Sequence, residues 1–228
     1  MAILVLARHG RTAANASGVL AGRSPGVHLD DVGREQAAAA AERLTGVPLA
    51  AAVTSPLERC RETAAVLLRG SGVRARVDKS FTECDYGDWT GEKLSTLSKR
   101  KLWRTVQSQP SAAAFPGGES LAAMSARAVA GVRRHDAAVT EAHGADAVWL
   151  AVSHGDVIKA ILADALGMHL DSFQRLMVGP ASLSVVRYTP HGTFVESMNS
   201  TSGSLSGLAR ARKAPVKGAV VGGDTGTS

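Results

Sequence analysis

Three short apolar runs, each breaking off at residues able to carry chemistry and each followed by a helical pattern, constrain this 228-residue chain more than any other feature. The first is Ile3-Leu4-Val5-Leu6-Ala7, a continuous run of the kind shown by a strand buried on both faces, and it stops at Arg8-His9-Gly10. The second, Leu49-Ala50-Ala51-Ala52-Val53, stops at Thr54-Ser55-Pro56, and the third, Ala147 to Val152, stops at Ser153-His154-Gly155. Helical patterns fill the intervals over 31–44, 57–68, 119–142 and 157–166. Ser55 with Glu58 three residues on reads as a capping box, and Pro56 suits a first helical position, so the helix carrying Arg59 should begin there. Alternation of this kind predicts an α/β fold, a three-layer α/β/α sandwich around a mainly parallel central sheet. Near the end, Leu183 to Tyr188 and Thr193 to Met198 alternate in polarity, which adds an antiparallel edge strand.

Length fits a single domain, here residues 1–198. From Asn199 the chain is rich in Gly, Ser and Thr and has no periodicity, so 199–228 is expected to be a disordered basic tail. Arg210, Arg212, Lys213 and Lys217 against Asp224 give that tail a net +3, half of the chain's +6. The remaining charge is modest and aromatics make up only 4%, so the interleaved basic and stacking residues of a single-strand binder are missing and no nucleic-acid partner is expected. The apolar runs are far too short for a bilayer span, and the first residues lack the pattern of a secretory leader, so no membrane partner and a cytoplasmic location are expected. Cys60 and Cys84 are too few for a disulfide framework, and His28, His135, His143, His169 and His191 lack ligand spacing. No metal and no cofactor are called for. The oligomeric state is left open, with a dimer among the options.

In open α/β sheets, ligands bind beyond the carboxyl ends of the strands. If the three runs are parallel strands, His9, Arg59 and His154 share one rim. Guanidinium groups bind phosphate oxygens in bidentate fashion and helix N-termini add N–H donors, so Arg8, Arg59 and His154 suit a cradle for a phosphoryl group over His9. A neutral imidazole is a nucleophile at neutral pH without metal activation. The leaving alkoxide needs a proton, for which Glu83, in Phe81-Thr82-Glu83-Cys84-Asp85-Tyr86-Gly87, is the leading candidate; Asp85 is an alternative two residues on.

With these residues assembled, the chain resembles the histidine phosphatase superfamily, which includes the cofactor-dependent phosphoglycerate mutases and related phosphatases. Arg8-His9-Gly10-Arg11-Thr12-Ala13-Ala14-Asn15 is similar to that family's opening motif, which implies His9 as the phosphorylated residue, Arg8 as a phosphate ligand, and Thr12 and Asn15 in the same pocket. Gly22-Arg23 is similar to the loop that follows, and Ser55 to Ala64 resembles the segment whose first arginine, here Arg59, binds phosphate. Glu83 to Gly91 is similar to the proton-donor segment, and Val152-Ser153-His154-Gly155 to the second-histidine motif. The resemblance implies catalytic His9, Glu83 and His154, with Arg8, Thr12, Asn15, Gly22, Arg59 and Gly155 binding a small phosphorylated metabolite. The mutases carry a longer insertion between acid and second histidine, including an Arg-Arg pair, whereas this chain has only Trp103-Arg104 and a short link. Hydrolysis of phosphate monoesters through phosphohistidine is therefore the expected activity. Phosphomutase is the alternative, and a non-catalytic phosphate-binding regulatory module is the rival from another class. Residues 86–118, with Tyr86, Trp89, Trp103 and Arg104, are expected to set specificity.

Overall fold

All three apolar runs form strands, and their side chains alternate between two cores. In the computed structural model, which describes residues 1–209, the chain runs β1 (Ile3–Arg8), α1 (Ala13–Ala16), α2 (Asp31–Arg43), β2 (Leu49–Thr54), α3 (Glu58–Leu67), β3 (Ala75–Val77), α4 (Leu94–Leu97), α5 (Lys101–Ser108), α6 (Leu121–His143), β4 (Val148–Ser153), α7 (Gly155–Ala165), β5 (Leu183–Thr189) and β6 (Gly192–Ser200). The six strands make one sheet in the order β3-β2-β4-β1-β5-β6. Ile3, Val5 and Ala7 of β1 pack with Ala40 and Leu44 beside α2 and with Ala64 and Leu67 of α3. Leu4 and Leu6 point the other way, into a core with Met124, Ala128 and Val132 of α6 and Ile158 and Ile161 of α7. Helices thus cover both faces, and β4 is buried at all of its positions, which is why its sequence is apolar throughout rather than alternating. Each fully buried aliphatic chain contributes about 2 kcal/mol.

The parallel pairs are β1 with β4, β4 with β2, and β2 with β3; β5 runs antiparallel to β1, and β6 antiparallel to β5. The antiparallel strand therefore lies inside the sheet, and the edge is β6, where the sequence placed an antiparallel edge. Arg8 pairs with Ser153 and Thr54 with Val152, so the three strand ends are level. The ladders continue one residue past them, His9 N–H donating to the Ser153 carbonyl and Ser55 N–H to that of Val152, both at 3.0 Å.

Close backbone approach fixes two glycines beside this edge. A Cβ on Gly10 would lie 2.4 Å from the Gly33 carbonyl oxygen, and one on Gly33 would lie 2.0 Å from that of Arg11. Only glycine lets the start of α2 seat against the chain leaving β1.

Three sequence expectations change. Leu57, not Ser55, is the N-cap of α3 and it makes no side-chain cap bond; Ser55 instead turns its hydroxyl toward His154, so the capping box does not form. The strand β3 is three residues long, too short for periodicity to show. The chain also stays ordered beyond Asn199. Strand β6 reaches Ser200, and the buried Arg43 donates to the carbonyls of Ser200 (2.7 Å) and Gly203 (2.8 Å). Leu205 and Leu208 pack against the core under α2. Structure thus continues through 199–209 because one buried guanidinium and two leucines anchor it, while the rest of the expected tail, 210–228, lies outside the described residues. Among the described residues no helix is long and apolar enough to cross a membrane.

Candidate active site

His9 leaves β1 into a buried position, 3% exposed, at the base of a cleft of about 370 Å³. Its Nδ1 lies 2.7 Å from the Gly10 carbonyl oxygen. A carbonyl only accepts, so Nδ1 carries the proton and Nε2 keeps its lone pair. Arg59 Nε donates to that Nε2 at 3.3 Å, and Arg59 Nη2 donates to the Gly22 carbonyl at 2.7 Å. Arg8 reaches in from the end of β1, with Nη1 donating to the Val178 carbonyl at 2.6 Å. Burial, then Arg59, then Arg8, hold the His9 pKa well below the ordinary histidine value of 6.5. All three causes disfavour imidazolium, so the ring stays neutral at neutral pH.

Two buried donors here have no partner among the described residues, Arg8 Nε and Arg59 Nη1. Buried N–H groups are almost always paired, and an unpaired one costs about 1–3 kcal/mol. Both belong to cations that border the same cleft. A phosphate dianion would satisfy both and match their combined charge.

His154 lies beneath His9 and is fully buried, with ring centroids 5.2 Å apart and an interplanar angle of 62°. Ser55 Oγ accepts from the Leu57 N–H at 3.3 Å and lies 2.8 Å from His154 Nε2. The His154 Nδ1 faces Glu83 Oε2 at 3.9 Å. The Cys60 thiol closes the same side, its Sγ 3.4 Å from His154 Nε2. Burial is the largest reason that the His154 pKa also falls well below 6.5, followed by Arg59.

Glu83 lies across the cleft, with Oε1 accepting the Cys84 N–H at 2.9 Å. Its carboxyl pKa is raised to about 7, first by burial and then by the neighbouring Asp156 charge, against the opposing pull of the Cys84 N–H, Arg59 and Arg8. Its main chain is fixed by two guanidinium groups, since Arg23 Nε (2.9 Å) and Arg127 Nη2 (3.1 Å) both donate to the Glu83 carbonyl. Glu119 ties these two arginines together, at 2.9 Å from Arg23 and 2.6 Å from Arg127. Asp85, by contrast, is paired with Arg23 at 3.2 Å and accepts the Gly87 N–H, away from the cleft.

Thr12 caps the short α1, and it and Asn15 exchange hydrogen bonds at 3.1 and 3.2 Å on the cleft wall. Gly22 and Gly155 also border the cleft, Gly155 as the first residue of α7, whose N-terminus favours an anion. The cleft therefore brings together Arg8, His9, Thr12, Asn15, Gly22, Arg59, Glu83 and Gly155, and only His154 stands behind it. Tyr86, Trp89 and Trp103 line its outer part, while Arg104 is exposed and points elsewhere. Sequence reasoning missed a further chain, in which the Tyr86 hydroxyl donates to Asp156 (2.9 Å) and Lys159 donates to Asp156 (3.4 Å) and Gln174 (3.1 Å). Asp156 follows the second-histidine motif directly, and Lys159 stands three residues on along α7.

The sequence profile of the histidine phosphatase superfamily (branch 1) matches residues 4–201, most of the chain. This chain belongs to the histidine phosphatase superfamily. Its phosphatase- and mutase-named relatives make it a phosphoryl-transfer enzyme of the phosphoglycerate mutase-like kind, which sets aside the non-catalytic binding module. A glucosyl-3-phosphoglycerate phosphatase of Mycolicibacterium vanbaalenii is 32% identical over 195 residues, covering 82% of this chain and 84% of that protein. A 2,3-bisphosphoglycerate-dependent phosphoglycerate mutase of Gloeobacter violaceus is 28% identical over 85% of this chain and 89% of its own length. Among solved structures, a mycobacterial glucosyl-3-phosphoglycerate phosphatase in complex with VO3 superposes with a TM-score of 0.76 at 29% identity, covering 86% of this chain and 98% of that one. The three-layer α/β architecture is thus shared with solved members of this histidine phosphatase superfamily.

Proposed function

We propose that this enzyme hydrolyses phosphate monoesters of small metabolites in two steps through a phosphohistidine on His9. The observation that carries the reading is the state of His9, whose Nδ1 is committed to the Gly10 carbonyl and whose Nε2 faces two cations with unpaired buried donors. In the first step the Nε2 lone pair attacks phosphorus, the bond from phosphorus to the alcohol oxygen breaks, and protonated Glu83 gives its proton to that oxygen. In the second, water attacks the phosphohistidine, ionised Glu83 takes a water proton, and the nitrogen–phosphorus bond breaks to release phosphate. Little charge develops on the nucleophile, so Arg8, Arg59 and the α7 N-terminus supply most of the stabilisation at the equatorial oxygens. His154, whose Nδ1 faces Glu83 Oε2 at 3.9 Å, orients Glu83 and backs the phosphoryl site. Phosphomutase is the second reading, favoured by the similarity to the phosphoglycerate mutase; it differs only in the acceptor, a substrate hydroxyl in place of water. A cytoplasmic setting belongs to the same reading, supported by the two buried free thiols, Cys60 and Cys84.

The acid is tested through pH. Glu83 must be protonated for the first step, and its pKa is raised to about 7, so kcat for an alkyl phosphate should fall as pH rises through about 7. The His9 pKa lies below 6.5, so the acidic limb should appear only below that value. Glu83→Gln is expected to lower kcat about 10²- to 10³-fold and to remove the basic limb. With p-nitrophenyl phosphate, whose leaving group needs no proton, the first-turnover release of p-nitrophenol should be largely retained and the loss confined to the second step, where Glu83 acts as base. A basic limb near 7 that persists in the variant would assign the titration to another group.

A further inference from the structure

The cleft extends well past the phosphate end, and its outer walls are Leu20, Trp89, Leu94, Trp103, Val106 and Phe115. Trp103 is half-buried on α5 and stacks on Trp89, with ring centroids 6.3 Å apart and an interplanar angle of 20°. Trp89 is in turn held edge-on by Phe115 at 5.2 Å and covered by the Arg100 guanidinium at 5.9 Å. This is a braced aromatic wall rather than a loose side chain.

The charges that border the cleft point the same way. Among the described residues they are the cations Arg8, Arg59 and Lys159 and the carboxylates Glu83 and Asp156. The two arginines match the two negative charges of a monoester. Lys159 is committed elsewhere: its Nζ lies 3.4 Å from Asp156, 3.1 Å from Gln174 and 5.7 Å above the Phe173 ring. A carboxylate on the alcohol half of the substrate would thus meet a neutralised lysine and an apolar wall, and would lose hydration without a partner. Gln107 leaves a neutral amide at the cleft for a hydroxyl group.

We infer that the natural substrate is a monoester of an uncharged alcohol with a planar apolar face, which packs on Trp103. This rests on the phosphatase reading above, and it departs from the relatives named for phosphoglycerate esters, which carry a carboxylate. Specificity then comes from the apolar wall and from Asp156 cancelling Lys159.

The test compares kcat/KM for three primary alkyl monoesters of similar intrinsic reactivity: 2-phenylethyl phosphate, glycerol 1-phosphate and 3-phosphoglycerate. The expected order is the one given, with at least about 30-fold between the first and the last. Trp103→Ala should lower the ratio of 2-phenylethyl phosphate to glycerol 1-phosphate about tenfold, mainly through KM. Gln107→Arg, at an exposed position on α5, should raise the ratio of 3-phosphoglycerate to glycerol 1-phosphate about tenfold by adding an unpaired cation. Ratios within one variant are independent of how much of it folds. Preference for 3-phosphoglycerate in the wild type, or either ratio unmoved by its substitution, overturns the inference while leaving the phosphatase reading intact. Absence of both phosphate release from all three esters and phosphohistidine overturns the two together.

Discussion

His9→Ala is expected to reduce kcat by at least about 10⁴-fold, the scale seen when a covalent nucleophile is removed, with the far-ultraviolet circular dichroism unchanged. Two properties of the site set the size of this effect. Among the described residues no other imidazole nitrogen faces the cleft, because His154 Nε2 is buried against Ser55 and Cys60. The residual rate must therefore come from water attacking a bound ester directly. The fold should tolerate the change, because the imidazole gives up two hydrogen bonds, to the Gly10 carbonyl and from Arg59 Nε, at about 1 kcal/mol each, and its removal relieves a buried polar ring. Retained turnover in a folded His9→Ala protein would place the nucleophile elsewhere.

Arg59→Ala should be nearly as damaging, about 10³-fold in kcat/KM or roughly 4 kcal/mol of transition-state stabilisation. Arg59 has two committed nitrogens, Nε toward His9 and Nη2 on the Gly22 carbonyl, and a third, Nη1, that is buried with no partner among the described residues. The first two fix the plane of the guanidinium and the third is left for a phosphate oxygen. A lysine has one point charge and cannot hold that plane while reaching phosphate, so Arg59→Lys should recover less than a tenth of the loss. Full activity in Arg59→Lys would show that charge alone matters at this position. In Arg59→Ala the His9 pKa should rise, because the Arg59 charge is the second largest reason for its depression, whereas Arg59→Lys keeps a cation there. The acidic limb of the pH profile should move upward accordingly.

The strand-end grammar was legible because β1 and β4 are buried on both faces and so read as unbroken apolar runs, and because catalytic loops in such sheets follow the strands directly. That pattern placed His9, Arg59 and His154 on one rim before any coordinates. What escaped was whatever depended on a distant partner. Ser55-Pro56-Leu57-Glu58 satisfies a capping pattern, yet Ser55 serves His154, which is 99 residues away. Arg43 reads as an ordinary helix charge, and its role in ordering 199–209 needs acceptors at Ser200 and Gly203. The cleft wall over 86–118 is built from four-residue and eight-residue helices whose lengths give no period, although Trp89 and Trp103 of that segment do border the cleft. Asp156 and Lys159 are spaced as a helical ion pair, and only the geometry shows that they stand in the cleft.

The proposed reaction requires a covalent bond to one nitrogen, and rapid-quench labelling with a 32P-labelled alkyl phosphate tests for that bond most directly. Wild-type enzyme should trap phosphate that is stable to base and labile to acid, mapping to the peptide that contains His9, and the label should appear at least as fast as steady-state turnover. In Glu83→Gln, with an activated ester as donor, the trapped fraction should rise, because attack by water has lost its base. Turnover without any acid-labile phosphopeptide, or a label that maps to His154 or to a serine, would contradict the account.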